Sequence, residues 1–288
     1  MKYIILGHEN PDVDSLVSGY ILEKVMKKRG YDVSFCISDK AIASDSEKIC
    51  NKYNLYLGKY YVDELPSDAK YILVDHNDRD VPGEIVAVLD HHPTPKDKSS
   101  IPYYRNEKVS ATACLIARDC EEELDKHDIE LAAVATFVDT VSFHSSKTVR
   151  DDISWVNEMT TKYDLDYDEM YRDGLCLTEL TDVEEIAFNG LKKAQYEDLS
   201  IHSSYVQIVD LEKNKDIIDG IIERLRTYRE EENIDLFVFI VYDMTNFYTK
   251  VYKIGEEIEL AEYFLYASRG NTIIPDILKQ YGKKGMKK

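Results

Sequence analysis

The chain has only five cysteines in 288 residues: Cys36, Cys50, Cys114, Cys120 and Cys176. They are odd in number and scattered, and no pair is spaced Cys-x-x-Cys. That argues against a disulfide framework or a thiolate zinc ribbon and fits a reducing cytoplasm. No run approaches the ~18 apolar residues a membrane span needs. The first residues, MKYIILGHEN, are apolar too briefly for a signal-peptide core and offer no small-residue cleavage site, so they are expected to be a strand. Long repeats and low-complexity tracts are lacking. Positive charge is also short, with 36 Lys+Arg against 55 Asp+Glu and a net charge of −19. This deficit speaks against a nucleic-acid binder, which needs a positive face. An acidic chain that handles anionic substrates needs cations, and divalent metal ions are the obvious ones.

What is present is ordinary for a globular protein: 44% hydrophobic and 32% charged residues. At roughly 150 residues per domain, the length suggests about two domains. Tyr3 to Leu6 reads as a strand, Leu16 to Arg29 has helical spacing, and Asp32 to Ile37 alternates, which together make a βαβ unit. Tyr71 to Val74 and Ile85 to Leu89 read as short buried strands of a parallel sheet. Helices are expected at about 110–123 and 129–143, with Asp151 and Asp152 capping a further one. Residues 162–185 are acidic and weakly periodic, the expected interdomain connection. Beyond them, Tyr205 to Val209, Leu236 to Tyr242 and Tyr248 to Tyr252 read as strands, with an amphipathic helix from Ile217 to Tyr228. The basic tail KQYGKKGMKK is expected to fray.

Chemistry concentrates at the strand ends. His8, Asp12 and Asp14 follow the first strand; Asp75 and His76 follow another; Asp90, His91 and His92 follow a third. Parallel strands end in one crevice, so these groups would converge there. Imidazole with carboxylate, and no thiolate, suits Mn²⁺, Fe²⁺, Co²⁺ or Zn²⁺. A bridging carboxylate would hold two ions about 3.5–4 Å apart, the spacing that activates water against phosphorus. Each motif also has a plainer reading. HENPDVDS suits an Asn-Pro turn with an Asp helix cap, VDHND a turn after a strand, and DHHPTP a surface loop. Asp139 is harder to explain so simply. It lies within the apolar run Leu131 to Val141, where an unpaired buried carboxylate would cost several kcal/mol.

GHENPDVDS, VDHND, LDHHP and AAVATFVDTVSF, in this order and spacing, resemble the DHH phosphoesterase superfamily. The resemblance is greatest to its manganese-dependent (family II) inorganic pyrophosphatase and exopolyphosphatase group, over nearly the whole chain. It implies an α/β architecture: a parallel-sheet DHH catalytic domain at 1–180 and a smaller DHH-associated α/β domain with a mixed sheet at 181–288. The active site would lie in the cleft between them. By the resemblance, His8 and Asp12 hold one metal, Asp14, His91 and Asp139 a second, and Asp75 bridges both. His92 would contact the phosphoryl group or donate a proton, Asp90 would orient a ligand histidine, and His76 would play a supporting part. The implied cofactors are two divalent ions, Mn²⁺ first with Co²⁺ an alternative, and Mg²⁺ accompanying the substrate. The implied substrate is a small anionic phosphate compound, pyrophosphate or short polyphosphate, attacked by a metal-activated water. The resemblance also implies a homodimer formed through the N-terminal domain.

The C-terminal motifs depart from the group. Arg269, in Ala267-Ser268-Arg269-Gly270, matches its substrate-binding arginine, but Gly270 stands where a second basic residue is usual. A substrate lysine is expected within DVEEIAFNGLKKAQ, where Glu184 aligns with it and Lys192 and Lys193 fall elsewhere in the pattern. Two rivals therefore stay open. One is a phosphoesterase of the same superfamily acting on a nucleotide or short oligonucleotide. The other is a catalytically weak regulatory homologue that keeps the metal motifs.

Overall fold

The computed structural model describes residues 2–38, 42, 44–94, 99–178, 180, 182–196, 199–264 and 266–285. They form two compact units, one of residues 1–143 with 147–175, the other of 144–146 with 176–288. Among the described residues no helix is long and apolar enough to cross a membrane.

The first unit contains β1 (Tyr3–Leu6), α1 (Val13–Lys28), β2 (Val33–Cys36), α2 (Ser44–Lys52), β3 (Lys70–Val74), β4 (Glu84–Asp90) and β5 (Tyr103–Asn106), then α3 (Thr112–Asp119), α4 (Lys126–Thr140), α5 (Arg150–Tyr163) and α6 (Tyr167–Gly174). The five strands form one parallel sheet in the order β2-β1-β3-β4-β5. The order reverses at β1 and β3: from β1 the chain crosses outward to β2, then returns to place β3 on the other side. Loops leaving β1 and β3 therefore diverge and open a crevice beyond the strand ends.

Both faces of this sheet are apolar, as short unalternating runs require. Ile5, Phe35, Ile72, Val74 and Leu89 face the helical layer, and Ile4, Leu6, Leu73 and Val88 face the other side. Helices α1 and α4 are buried around most of their circumference rather than along one stripe. A carboxylate on either is therefore forced inward, which is the situation of Asp14 and Asp139.

The second unit contains α7 (Val183–Ala187), β6 (Lys192–Tyr196), β7 (Leu199–Ile208), α8 (Lys215–Glu231), β8 (Leu236–Asp243), β9 (Tyr248–Ile254), β10 (Ile258–Phe264) and α9 (Ile274–Gly285). Its mixed sheet runs β10-β9-β8-β7-β6, with β7 and β8 parallel and the other neighbours antiparallel. Phe237, Phe239 and Val241 pack under Ile221, Ile222 and Leu225 of α8.

Several local expectations change. The helix expected at 110–123 stops at Asp119, and Glu121–Glu123 form a separate 3₁₀ turn. Neither Asp151 nor Asp152 caps α5, whose preceding residue is Val149. Asp152 is instead fully buried, accepting from Ser110 N at 2.6 Å and from Arg118 Nη1 at 2.7 Å. The stretch 162–185 is not merely a connection. It contains α6, which packs on α4 with Met170 buried, and whose Asp173 accepts from Tyr53 Oη at 2.6 Å. The tail is helical as far as Gly285, and 286–288 lie outside the described residues.

Candidate metal centre

Four segments of the first unit deliver the acidic and imidazole groups. The loop after β1 carries His8 and Asp12 and leads into α1 with Asp14. Gly7 opens that loop because a Cβ there would meet Ser15 Oγ at 2.1 Å, and the close approach lets His8 N donate to Ser15 Oγ at 3.0 Å. Asp12 is indeed the α1 N-cap, accepting from Ser15 N at 3.1 Å. The capping reading of this motif therefore holds. Asp75 follows β3 directly and sits at φ +62°, a left-handed conformation that an Asp adopts at a cost of order 1 kcal/mol. Asp90 ends β4, and His91 and His92 follow it. Asp139 lies in the last turn of α4, after which Val141, Ser142 and Phe143 are all left-handed. The chain turns back there, and Lys147 Nζ comes to 2.5 Å from Asp139 Oδ1.

These groups gather into two triads, and Asp75 of one also faces the histidine of the other. His8 Nε2 is 3.5 Å from Asp12 Oδ1 and 3.6 Å from Asp75 Oδ2. On the other side His91 Nε2 is 3.3 Å from Asp75 Oδ1, 3.6 Å from Asp139 Oδ2 and 3.8 Å from Asp14 Oδ2. Within each of the sets His8–Asp12–Asp75 and Asp14–His91–Asp139, the ligand atoms all lie within 4.8 Å of one another. Separations of 3.3–3.8 Å are long for direct hydrogen bonds and natural for ligands around a common cation.

The donor chemistry fits divalent ions. His8 Nδ1 is held by Glu9 O at 2.8 Å and His91 Nδ1 by Val109 O at 3.0 Å. A carbonyl can only accept, so each Nδ1 carries a proton, and in the neutral imidazole that a metal needs each Nε2 turns a lone pair inward. Asp75 Oδ2, Asp139 Oδ2 and His91 Nε2 are buried and have no hydrogen-bond partner among the described residues. Three such orphans in one place are costly unless a cation satisfies them. Burial, reinforced by Asp14, Asp12 and Asp139, pushes the Asp75 carboxyl well above its usual range. Burial also raises Asp139, with Lys147 opposing. Asp12 behaves oppositely: burial disfavours its charge, but the His8 contact holds it at about 2.

A supporting set fixes the geometry. Asp14 is bound by the amides that open α3, Thr112 N at 2.7 Å and Ala113 N at 2.8 Å. Asp90 is fully buried and accepts from His92 N and, at 3.0 Å, faces His92 Nδ1. The Asp90 hydrogen bond raises the His92 pKa. Asn77 and Asn106 amides complete the Asp90 shell. Asp90 therefore orients His92 rather than His91. His76 Nδ1 bonds Val74 O at 2.9 Å, and burial lowers its pKa to about 4. Beside the triads lies a depression of about 370 Å³ lined by His8, His76, Asn77, Arg79 and His92. The residues that sequence reasoning missed are Lys147, Asn77 and Asn106. Asn77 lies inside VDHND, Lys147 beyond the chain reversal after Asp139 and Asn106 on the neighbouring strand β5, and no spacing rule marks them.

In the second unit, Arg269 donates to Gly190 O at 2.7 Å and stacks 5.3 Å above the Tyr205 ring. Gly190 is left-handed at φ +59°, and a Cβ there would strike Tyr205 at 2.3 Å. Glu184 does not face Arg269. It forms a two-bond ion pair with Arg224 at 2.5 and 2.8 Å. Lys192 instead sits across the β6–β7 pair from Ser203, whose carbonyl is 3.5 Å from Arg269 Nη1. The nearby guanidinium lowers the Lys192 pKa. Among the described residues neither cation has a carboxylate within ion-pair distance, which is unusual in so acidic a chain.

The chain is similar to proteins named "Probable manganese-dependent inorganic pyrophosphatase". The one from Oceanobacillus iheyensis is 24% identical over 88% of this chain and 86% of its own length. The one from Bacillus velezensis is 26% identical over 91% and 88%. Its fold matches the crystal structure of a Methanococcus jannaschii "putative family II inorganic pyrophosphatase", with TM-score 0.67 and 20% identity over 98% of this chain and 100% of that one. It also matches an exopolyphosphatase-related protein from Bacteroides fragilis, with TM-score 0.52 and 16% identity over 97% and 92%. Residues 2–139, which carry every ligand-type residue of the two triads, match the DHH family, N-terminal domain.

Proposed function

We propose that this chain is a divalent-metal-dependent phosphohydrolase that cleaves a phosphoanhydride, inorganic pyrophosphate first and short polyphosphate second. In this reading residues 1–180 hold the reaction centre and 181–288 bind the anionic end of the substrate. The observation that carries it is the pair of triads joined through Asp75, whose two oxygens face different imidazoles. His8, Asp12 and Asp75 would hold one ion, and Asp14, His91, Asp139 and Asp75 the other. Two such ions, Mn²⁺ on the names of the relatives, supply a nucleophile from water at neutral pH and offset charge on the phosphoryl oxygens.

The protein's own residues do the rest. His92, whose pKa the Asp90 hydrogen bond raises, would donate a hydrogen bond to a phosphoryl oxygen or a proton to the leaving group. Asp90→Asn is expected to lower turnover about ten- to a hundredfold while leaving the bound-metal count unchanged. Arg269 and Lys192 supply two of the cations a polyanionic substrate needs, so the loss at Glu184 and Gly270 is partly offset. Lys192→Gln and Arg269→Gln are each expected to raise KM for pyrophosphate about tenfold, with a smaller effect on kcat. A phosphate-release assay with Mn²⁺ on pyrophosphate, tripolyphosphate and linear and cyclic dinucleotides tests the reading. Preference for pyrophosphate supports it; turnover of a dinucleotide alone overturns it.

A further inference from the structure

Lys147 supplies the candidate metal cage with a cation of its own. Its Nζ is 2.5 Å from Asp139 Oδ1. Among the described residues no other lysine or arginine lies within ion-pair distance of Asp12, Asp14, Asp75 or Asp139. A built segment delivers it. Val141, Ser142 and Phe143 follow one another at φ 50°, 51° and 68°, a conformation that costs energy for residues with a Cβ. Ser142 N donates to Phe137 O at 2.7 Å, Ser142 Oγ to Tyr171 O, and Phe143 N to Thr140 Oγ1 at 3.0 Å, which together hold the reversal. Beyond Lys147, Val149 N donates to Ser110 Oγ at 2.8 Å, and α5 begins at Arg150. Burial disfavours the lysine's charge, but Asp139, Asp12 and Asp75 outweigh that and raise its pKa.

Asp139 is thereby divided. Oδ1 faces the ammonium, while Oδ2 is 3.6 Å from His91 Nε2 and has no hydrogen-bond partner among the described residues. The charges around the two imidazoles are also unequal. His91 faces three carboxylates, Asp14, Asp75 and Asp139, and His8 faces two, Asp12 and Asp75. Lys147 offsets one negative charge on the richer side. We propose that Lys147 is a positioning residue for the ion site of Asp14, His91 and Asp139: it keeps Asp139 a one-oxygen ligand and raises the metal concentration at which that site fills. This rests on the reading of Asp139 as a metal ligand. Two cations that share one carboxylate oppose each other, so the ammonium stabilises the empty cage more than the loaded one. By linkage, removing its charge destabilises the metal-free protein more than the loaded protein and tightens the ion's binding.

Calorimetric titration of the metal-free full chain with Mn²⁺ tests this on the parent, on Lys147→Met, which keeps an unbranched side chain without the charge, and on Lys147→Arg, which keeps the charge. In Lys147→Met one of the two dissociation constants is expected to fall about tenfold and the other to move less than about twofold. Lys147→Arg should match the parent. In chelator, Lys147→Met should melt below the parent, and saturating Mn²⁺ should close most of that gap; a Lys147→Met protein that folds only with Mn²⁺ is the extreme form of the same result. Four outcomes would overturn the role of Lys147 and leave the two-ion reading standing: unchanged or weaker Mn²⁺ binding by Lys147→Met, the same tightening in Lys147→Arg, an equal loss of melting temperature with and without Mn²⁺, or no folding in either condition. A parent that binds fewer than two ions would overturn both.

Discussion

Asp75→Asn is expected to lower Mn²⁺-dependent phosphate release by about a thousandfold, the largest effect of any single substitution in the chain. The carboxylate offers Oδ2 to the His8 side and Oδ1 to the His91 side. An amide keeps the shape but turns one of those oxygens into a donor and removes the charge. Thr112 Oγ1, which donates to Asp75 Oδ1 at 3.3 Å, still has an acceptor if the amide orients its oxygen that way. The fold should therefore survive. The metal-free variant is further expected to melt higher than the metal-free parent, because it no longer buries a carboxylate crowded by Asp12, Asp14 and Asp139. A metal-replete Asp75→Asn protein with full activity would contradict the shared-ligand role.

The second large effect concerns stability without metal. Asp75 and Asp139 both have folded-state pKa values raised by burial. For such groups the folded state holds its protons more tightly than the unfolded one. Their contribution is therefore favourable at acid pH and lost as pH rises above the ordinary carboxylate range. In chelator, the melting temperature should fall from pH 5 to pH 8 more than it does with Mn²⁺ present. At pH 8, Mn²⁺ at a hundredfold over its Kd should add about 3 kcal/mol per site, roughly 5–10 °C in melting temperature. Differential scanning calorimetry with chelator and with Mn²⁺ reads both quantities. A metal effect that is the same at both pH values would count against the buried carboxylates as its source.

The sequence displays the candidate metal centre more fully than it displays the proposed substrate-binding residues. The ligand-type residues stand at strand ends because a parallel sheet puts its loops on one side, and Asp139 betrays itself by polarity inside an apolar helix. Position within a βα pattern is enough to find them. Asn106 is different: it closes the Asp90 shell from the end of β5, and only the pairing of β5 with β4 brings it there. Lys147 reaches Asp139 only because three successive left-handed residues reverse the chain. Lys192 is hidden in the sequence because the spacing within DVEEIAFNGLKKAQ points to Glu184, while the β6–β7 register decides which lysine lies near Arg269. Strands β5, β6 and β10 share one reason for being hidden. Each is an edge, half exposed, and YYRN, KKAQY and IELAEYF carry little of the apolar run that marks a central strand.

Anomalous scattering from crystals grown with Mn²⁺ is the most direct measurement of the metal cage. Two manganese peaks about 3.5–4 Å apart, one beside His8 and Asp12, one beside Asp14, His91 and Asp139, with Asp75 touching both, are expected. A single ion, or manganese bound away from Asp75, would contradict it.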